Sequence, residues 1–115
     1  MDELNEITDK LRRFAKDRDW DKFHSPKNLS MALAGEVGEL NEQFQWLTEQ
    51  QSINLPSDKR KAVEAEIADI LIYLIRLADI LNINLLDAAK DKIVINEMKY
   101  PVDRVKGSSK KYTEY

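Results

Sequence analysis

The chain has no cysteine, one histidine, three glycines and three prolines in 115 residues. Without cysteine there is no disulfide framework, no zinc–thiolate site and no thiol nucleophile. A ferritin-like di-iron bundle needs two Glu-x-x-His pairs; the single histidine, His24, belongs to no such pair, so that chemistry is excluded. No glycine-rich run precedes a Lys-Ser or Lys-Thr, so there is no P-loop. Positive charge is not in excess either. The 18 Lys and Arg against 21 Asp and Glu leave a formal net charge of -3, which argues against non-specific nucleic-acid binding. The longest apolar run, Ile70 to Ile75, is far too short to cross a bilayer. The opening residues, Met1-Asp2-Glu3-Leu4-Asn5-Glu6, show neither the basic stretch nor the apolar core of a signal peptide. The expectation is a soluble, cytoplasmic protein with no membrane and no nucleic-acid partner.

What is present is helical periodicity. Leu4, Ile7, Leu11 and Phe14 share one face of a helix over about residues 2–19. Trp20, Phe23 and His24 follow in a connector, and His24 reads as a surface or connector residue. Ser25-Pro26 is a helix start, with Ser as N-cap and Pro in the first turn. The second helix carries Leu29, Leu33, Val37, Leu40, Phe44 and Leu47 to about residue 50. A polar loop spans 51–56, and Ser57 or Asp58 caps a third helix to about Leu81. Its middle, Ile67 to Ile75, is apolar on nearly every side and is expected at the centre of the fold. Asn84 caps a fourth helix over about 85–99, and Pro101 stops it. No strand alternation or solenoid repeat is visible. The reading is one all-α domain over 1–115, a four-helix bundle ending in a flexible basic tail from about 101. Hydrophobic residues are 43% of the chain. A core of that size buries a limited fraction of the surface, so an oligomer would help.

Two acidic pairs stand inside these apolar runs: Glu36-Val-Gly-Glu39 and Glu66-Ile-Ala-Asp69. Spacing alone says little, because Glu3/Glu6 and Glu39/Glu42 also fit it, and the plain reading of such a pair is a solvated face. Context is what separates the two. Glu36 lies one turn from Leu33 and Leu40, and Glu66 one turn from Val63 and Ile70. Carboxylates that border a packing face need a counter-charge. Lys59, Arg60, Lys61 and Arg76 are poorly placed along the sequence to supply it, so a metal is the better partner. An all-oxygen donor set suits Mg²⁺, with Mn²⁺ as the alternative, and Mg²⁺ usually shares its shell with substrate phosphates. Gly35 and Gly38 flank Glu36. Each weakens a helix interior by about 1 kcal/mol relative to Ala, which suggests close approach by another helix or a ligand. Helix packing alone would explain them equally.

Trp20 and Trp46 are the only tryptophans. Aromatic faces left open can stack nucleobases; ordinary packing is the competing reading. The Gly107–Ser109 backbone and the lysines of the tail could close on a phosphate chain, or be a solvated terminus.

These residues resemble the all-α nucleoside triphosphate pyrophosphatases of the MazG type. The gap between the two acidic pairs, Glu39 to Glu66, is 26 residues. The stretches Arg18-Asp19-Trp20, Gly35-Glu36-Val37-Gly38-Glu39-Leu40, Phe44-Gln45-Trp46, Ile95-Asn96, Tyr100-Pro101 and Lys110-Lys111-Tyr112-Thr113-Glu114 are similar to the dCTP pyrophosphatase branch. The resemblance implies that Glu36, Glu39, Glu66 and Asp69 hold Mg²⁺, and that water attacks the α-phosphorus to give a monophosphate and pyrophosphate. It implies that Trp20 and Trp46 flank the base, that Tyr73 lies below the sugar, and that Asn96 is near the base or sugar edge. Lys92, Lys110 and Lys111 would meet the phosphates. It also implies a homotetramer, a dimer of dimers with sites shared between subunits. Glu39 is taken as the group that accepts the proton from water. Mammalian members of the branch carry a histidine on the first helix near the base. The matching position here is Leu11, which cannot hydrogen-bond a base edge, so modified pyrimidine nucleotides stand beside dCTP as expected substrates. Two other readings use the same residues: a non-catalytic nucleotide sensor, and a structural helical oligomer whose acids pair with a neighbour's basic residues.

Overall fold

The structure is a computed structural model that describes residues 2–108. Among these, every regular element is helical and there is no strand. The helices are α1 (Glu3–Asp17), α2 (Pro26–Phe44), α3 (Glu49–Ile53), α4 (Ser57–Ile80), α5 (Leu85–Lys99) and α6 (Val102–Val105). A 3₁₀ turn, Asp21–Phe23, lies between α1 and α2. Residues 109–115, including Lys110 and Lys111, lie outside the described residues, and with them the last part of the expected basic tail.

Capping residues set most of the boundaries. Ser25 accepts a hydrogen bond from the Asn28 N–H, and Pro26 occupies the first turn, so α2 starts where expected. Asn84 caps α5 through the Asp87 N–H. The start of α4 differs from expectation. Its N-cap is Pro56, which makes no side-chain cap bond, and Ser57 is already helical. The end of α2 differs as well. The helix stops at Phe44, and Thr48 and Gln51 form a capping box that starts α3 inside the stretch read as loop. Pro101 both follows α5 and begins the short α6, which periodicity over four residues could not reveal.

The chain divides into two compact units, Met1–Asn82 and Ile83–Tyr115. In the first, α2 packs along α4, and α1 packs on α4. Ala15, Leu29, Val63, Ile75 and Ala78 are buried there. Leu29 is 2% exposed, and burial of such a side chain is worth about 1.5–3 kcal/mol. The expected all-round burial of the α4 centre is not met within one chain: Ile67 is 53% exposed and Leu71 47%. Within the first unit, α1 and α2 cover only part of the α4 circumference, and these residues lie on the part left over. Arg12 links α1 to α4 with a two-pronged bond to Asp79, at 2.8 and 2.5 Å. That guanidinium holds the Asp79 carboxyl below its usual range against the opposing effect of burial. The second unit contains α5 and α6. Gly107, at φ +79°, follows α6 in the left-handed region where a side chain is strained.

Candidate active site

The end of α1 places Trp20. Arg18 caps the helix and Asp19 turns left-handed at φ 55°. The Asp19 N–H then donates to the Lys16 carbonyl at 3.1 Å, and the Trp20 N–H reaches back to the Ala15 carbonyl at 2.8 Å. This is a complete Schellman motif, in which Asp is one of the few residues other than Gly able to take the αL position. Beyond it, Asn28 donates from its side chain to the Phe23 carbonyl at 3.0 Å, tying the 3₁₀ turn to α2. The Trp20 ring stands edge-on to Phe14, with centroids 5.6 Å apart.

Trp20 borders a cavity of about 440 Å³. Leu11, Phe14, Leu29 and Ile72 give it apolar walls, and Tyr73 lines it from α4. Glu36 and Asp69 bring carboxylates to its edge. A compact apolar cavity with convergent polar groups is the usual form of a small-molecule site.

The acids gather beside it. Glu36 and Glu39 come from α2 and Glu66 from α4, and each offers an oxygen within 4.8 Å of the others. One oxygen of Glu36 and one of Glu66 are buried with no hydrogen-bond partner. Among the described residues no ion pair includes any of the three. Arg60 pairs with Glu64 and Arg76 with Asp21, as the sequence separation of these cations from the acids suggested. Close carboxylates cannot all ionise cheaply. The Glu66 pKa is pushed up to about 7 by the hydrogen bond its protonated form shares with Glu36, then by burial and by the Glu39 charge. When all three are ionised, the orphaned oxygens require a cation. Hard oxygen donors in this number suit Mg²⁺ or Mn²⁺, so the residues fit such an ion. Asp69, one turn beyond Glu66, is exposed and lines the cavity but is not part of the three-oxygen cluster.

The other expected site residues belong to other parts of the chain. Trp46 stands 86% exposed in the turn after α2 and is not among the residues lining the cavity. Lys92 and Asn96 lie on α5 of the second unit. Lys110 and Lys111 fall outside the described residues. At Gly35 and Gly38 an added Cβ would meet nothing within 4 Å among the described residues, so the close approach expected there is not made within one chain.

His24 and Arg76 were not expected at the cavity, and both line it. His24 lies in the connector, as expected, and is half-buried there. Arg76 is buried in the second half of α4. One signal pointed to Arg76: a charged residue between Ile75 and Leu77 needs a partner when its helix face is covered.

A model of the MazG-like family matches residues 32–115 of the chain. The chain is 43% identical over 113 residues to dCTP pyrophosphatase 1 of Mus musculus, a stretch covering 96% of this chain and 66% of that protein. It is 42% identical to the Homo sapiens protein of the same name, again over 96% of this chain and 66% of the relative. The chain therefore spans just under two thirds of the length of these relatives. The crystal structure of a pyrophosphatase from Archaeoglobus fulgidus is similar with a TM-score of 0.83 and 42% identity, covering 88% of this chain and 94% of that one. With its helices, its acidic cluster and these similarities in agreement, the chain belongs to the MazG-like family.

Proposed function

We propose that this protein hydrolyses a deoxynucleoside triphosphate, dCTP or a 5-modified dCTP, to the monophosphate and pyrophosphate, and so cleans the nucleotide pool. One observation carries the reading. Three carboxylates converge within 4.8 Å, two of them with buried and unpartnered oxygens. They adjoin an aromatic-lined cavity that shares Glu36 with them. A triphosphate can lie with its base in the cavity and its phosphates toward the acids only if a cation stands between like charges.

Glu36, Glu39, Glu66 and Asp69 would hold Mg²⁺, with Mn²⁺ as a substitute. When bound, the ion neutralises phosphate oxygens and makes water more acidic. Trp20 and Tyr73 grip the base and sugar. Their cavity excludes water from that end of the nucleotide and sets the α-phosphorus near the acids. Water attacks the α-phosphorus, the bond from it to the bridging oxygen of pyrophosphate breaks, and Glu39 accepts the proton. Glu39 is the exposed member of the cluster, so an oxygen is free for that task. Lys92, Lys110 and Lys111 meet the phosphates, and Asn96 meets the base or sugar edge. Residues 1–115 act as one domain in a cytoplasmic homotetramer, a dimer of dimers. The exposed Ile67 and Leu71, and the open backbone at Gly35 and Gly38, support such an assembly. Trp46 then serves a site shared between subunits.

The test is pyrophosphate release from natural and 5-modified dNTPs with saturating Mg²⁺. Release from dCTP is expected, and its loss in Glu39→Ala and Asp69→Ala with the fold retained. Wild-type protein that leaves every dNTP intact refutes the proposal. Tight binding of dCTP without turnover would instead identify a sensor.

A further inference from the structure

Arg76 is a buried cation inside a helix, and its side chain is 7% exposed. Its three nitrogens all have partners. Nε donates to Nδ1 of His24 at 3.1 Å. One terminal nitrogen donates to Asp21 at 2.6 Å, and the other faces Asp79 at 3.6 Å. Asp21 and His24 belong to the segment that connects α1 to α2, and Asp79 lies one turn along α4. Arg76 thus clamps that connector to α4 just where Trp20 and His24 meet the cavity.

A guanidinium only donates and does not deprotonate in proteins. The His24 nitrogen that faces it must therefore be the bare, accepting one. A neutral imidazole has a single N–H, which then sits on Nε2. We propose that Arg76 is a positioning residue for the base-binding end of the site: by donating to Nδ1 it fixes the His24 ring and holds it as the neutral Nε2–H form. The role of this ring in nucleotide affinity rests on the reading that the cavity receives the base.

The electrostatics agree with this geometry. Burial pushes the His24 pKa below its ordinary value, the Arg76 charge pushes it further the same way, and Asp21 opposes them. The other titratable groups around the cavity are Glu36 on α2 and Asp69 and Tyr73 on α4. The ring, which lines the cavity, consequently carries one N–H and no charge. Such a group favours a carbonyl or ring-nitrogen acceptor and rejects a donor in the same place. The Arg76 charge is itself met by Asp21 and Asp79. Among the described residues that line the cavity, Arg76 is the only cation, and with its charge met there the phosphates are left to the acidic cluster.

His24 is the only histidine among these 115 residues, so ¹⁵N spectra of the 115-residue chain show a single imidazole. At pH 7 the expected result is a bare Nδ1, a protonated Nε2, and a ¹⁵N–¹⁵N coupling between Arg76 Nε and His24 Nδ1. Arg76→Met should lose the coupling and mix the two neutral ring forms. Its KM for dCTP with Mg²⁺ should rise roughly three- to tenfold, the worth of about one hydrogen bond, with kcat within twofold. Asp21→Asn removes the ion pair but keeps the Nε to Nδ1 bond, so it should retain both the coupling and the KM. Absence of the coupling in the wild-type protein, or a proton on Nδ1, overturns the proposal even if Arg76→Met fails to fold. A folded Arg76→Met protein with unchanged ring form and KM overturns it too. Failure of the functional reading looks different: no dNTP would be turned over, while the coupling would still be seen.

Discussion

Replacement of Trp20 by alanine is the sharpest probe of the cavity as the base site. The Schellman turn fixes the Trp20 backbone, and Phe14 meets its ring edge-on at 5.6 Å between centroids. The ring is held before any ligand arrives, and it is 43% exposed. Stacking of one base on such a ring is worth about 1–3 kcal/mol. That loss converts to a rise in KM of about five- to 150-fold. The base lies away from the bond that breaks, so ground state and transition state lose the interaction equally and kcat should stay within about threefold. Loss of the aromatic edge pair removes about 0.5–1.5 kcal/mol of fold stability. A domain stable by about 5–15 kcal/mol survives that at 25 °C. The assay is initial-rate pyrophosphate release against dCTP concentration at saturating Mg²⁺, with folding checked by circular dichroism. Trp20→Phe, which keeps a smaller ring, should fall between wild type and alanine. A KM within twofold of wild type in Trp20→Ala, or a fall in kcat at constant KM, would refute the assignment of the base to this cavity.

Two further predictions follow from the same geometry. In metal-free protein, Glu66 has a folded pKa of about 7, well above the roughly 4.3 of an unfolded Glu. The folded state therefore holds a proton that the unfolded state releases between those values. Stability should fall as pH rises through that window and level off above it. Glu66→Gln should remove this fall, and the difference between the two urea-unfolding curves isolates it, because His24 and Asp79 titrate in both proteins; a flat difference curve counts against the coupled acids. Leu29→Ala empties a site that is 2% exposed and lies under the cavity. It should destabilise the fold by about 2–5 kcal/mol, and a urea-unfolding loss below about 1 kcal/mol would show that Leu29 is not a core residue.

Local chemistry made much of this protein legible from its residues alone. Ser25-Pro26 and Asn84 announce helix starts because a cap is satisfied within three residues of itself. Glu36 with Glu39, and Glu66 with Asp69, share helix faces by the 3.6-residue period, and their apolar setting already called for a cation. The same local rules misplaced the end of α2 and the start of α4, where a Thr48–Gln51 capping box and Pro56 settle the boundary.

Contacts between distant residues were decided only in three dimensions. Glu66 joins Glu36 and Glu39 because α4 packs along α2, and no spacing rule says that Asp69 turns to the cavity edge instead. Arg76 finds Asp21 and His24 across more than fifty residues. The sequence by itself determined the helices and which side chains each helix face carries, since turns and caps are closed by near neighbours. Tertiary structure alone decided which of those faces meet, and hence which acids are left without partners and which histidine nitrogen is free, because burial and pairing are properties of the packed chain.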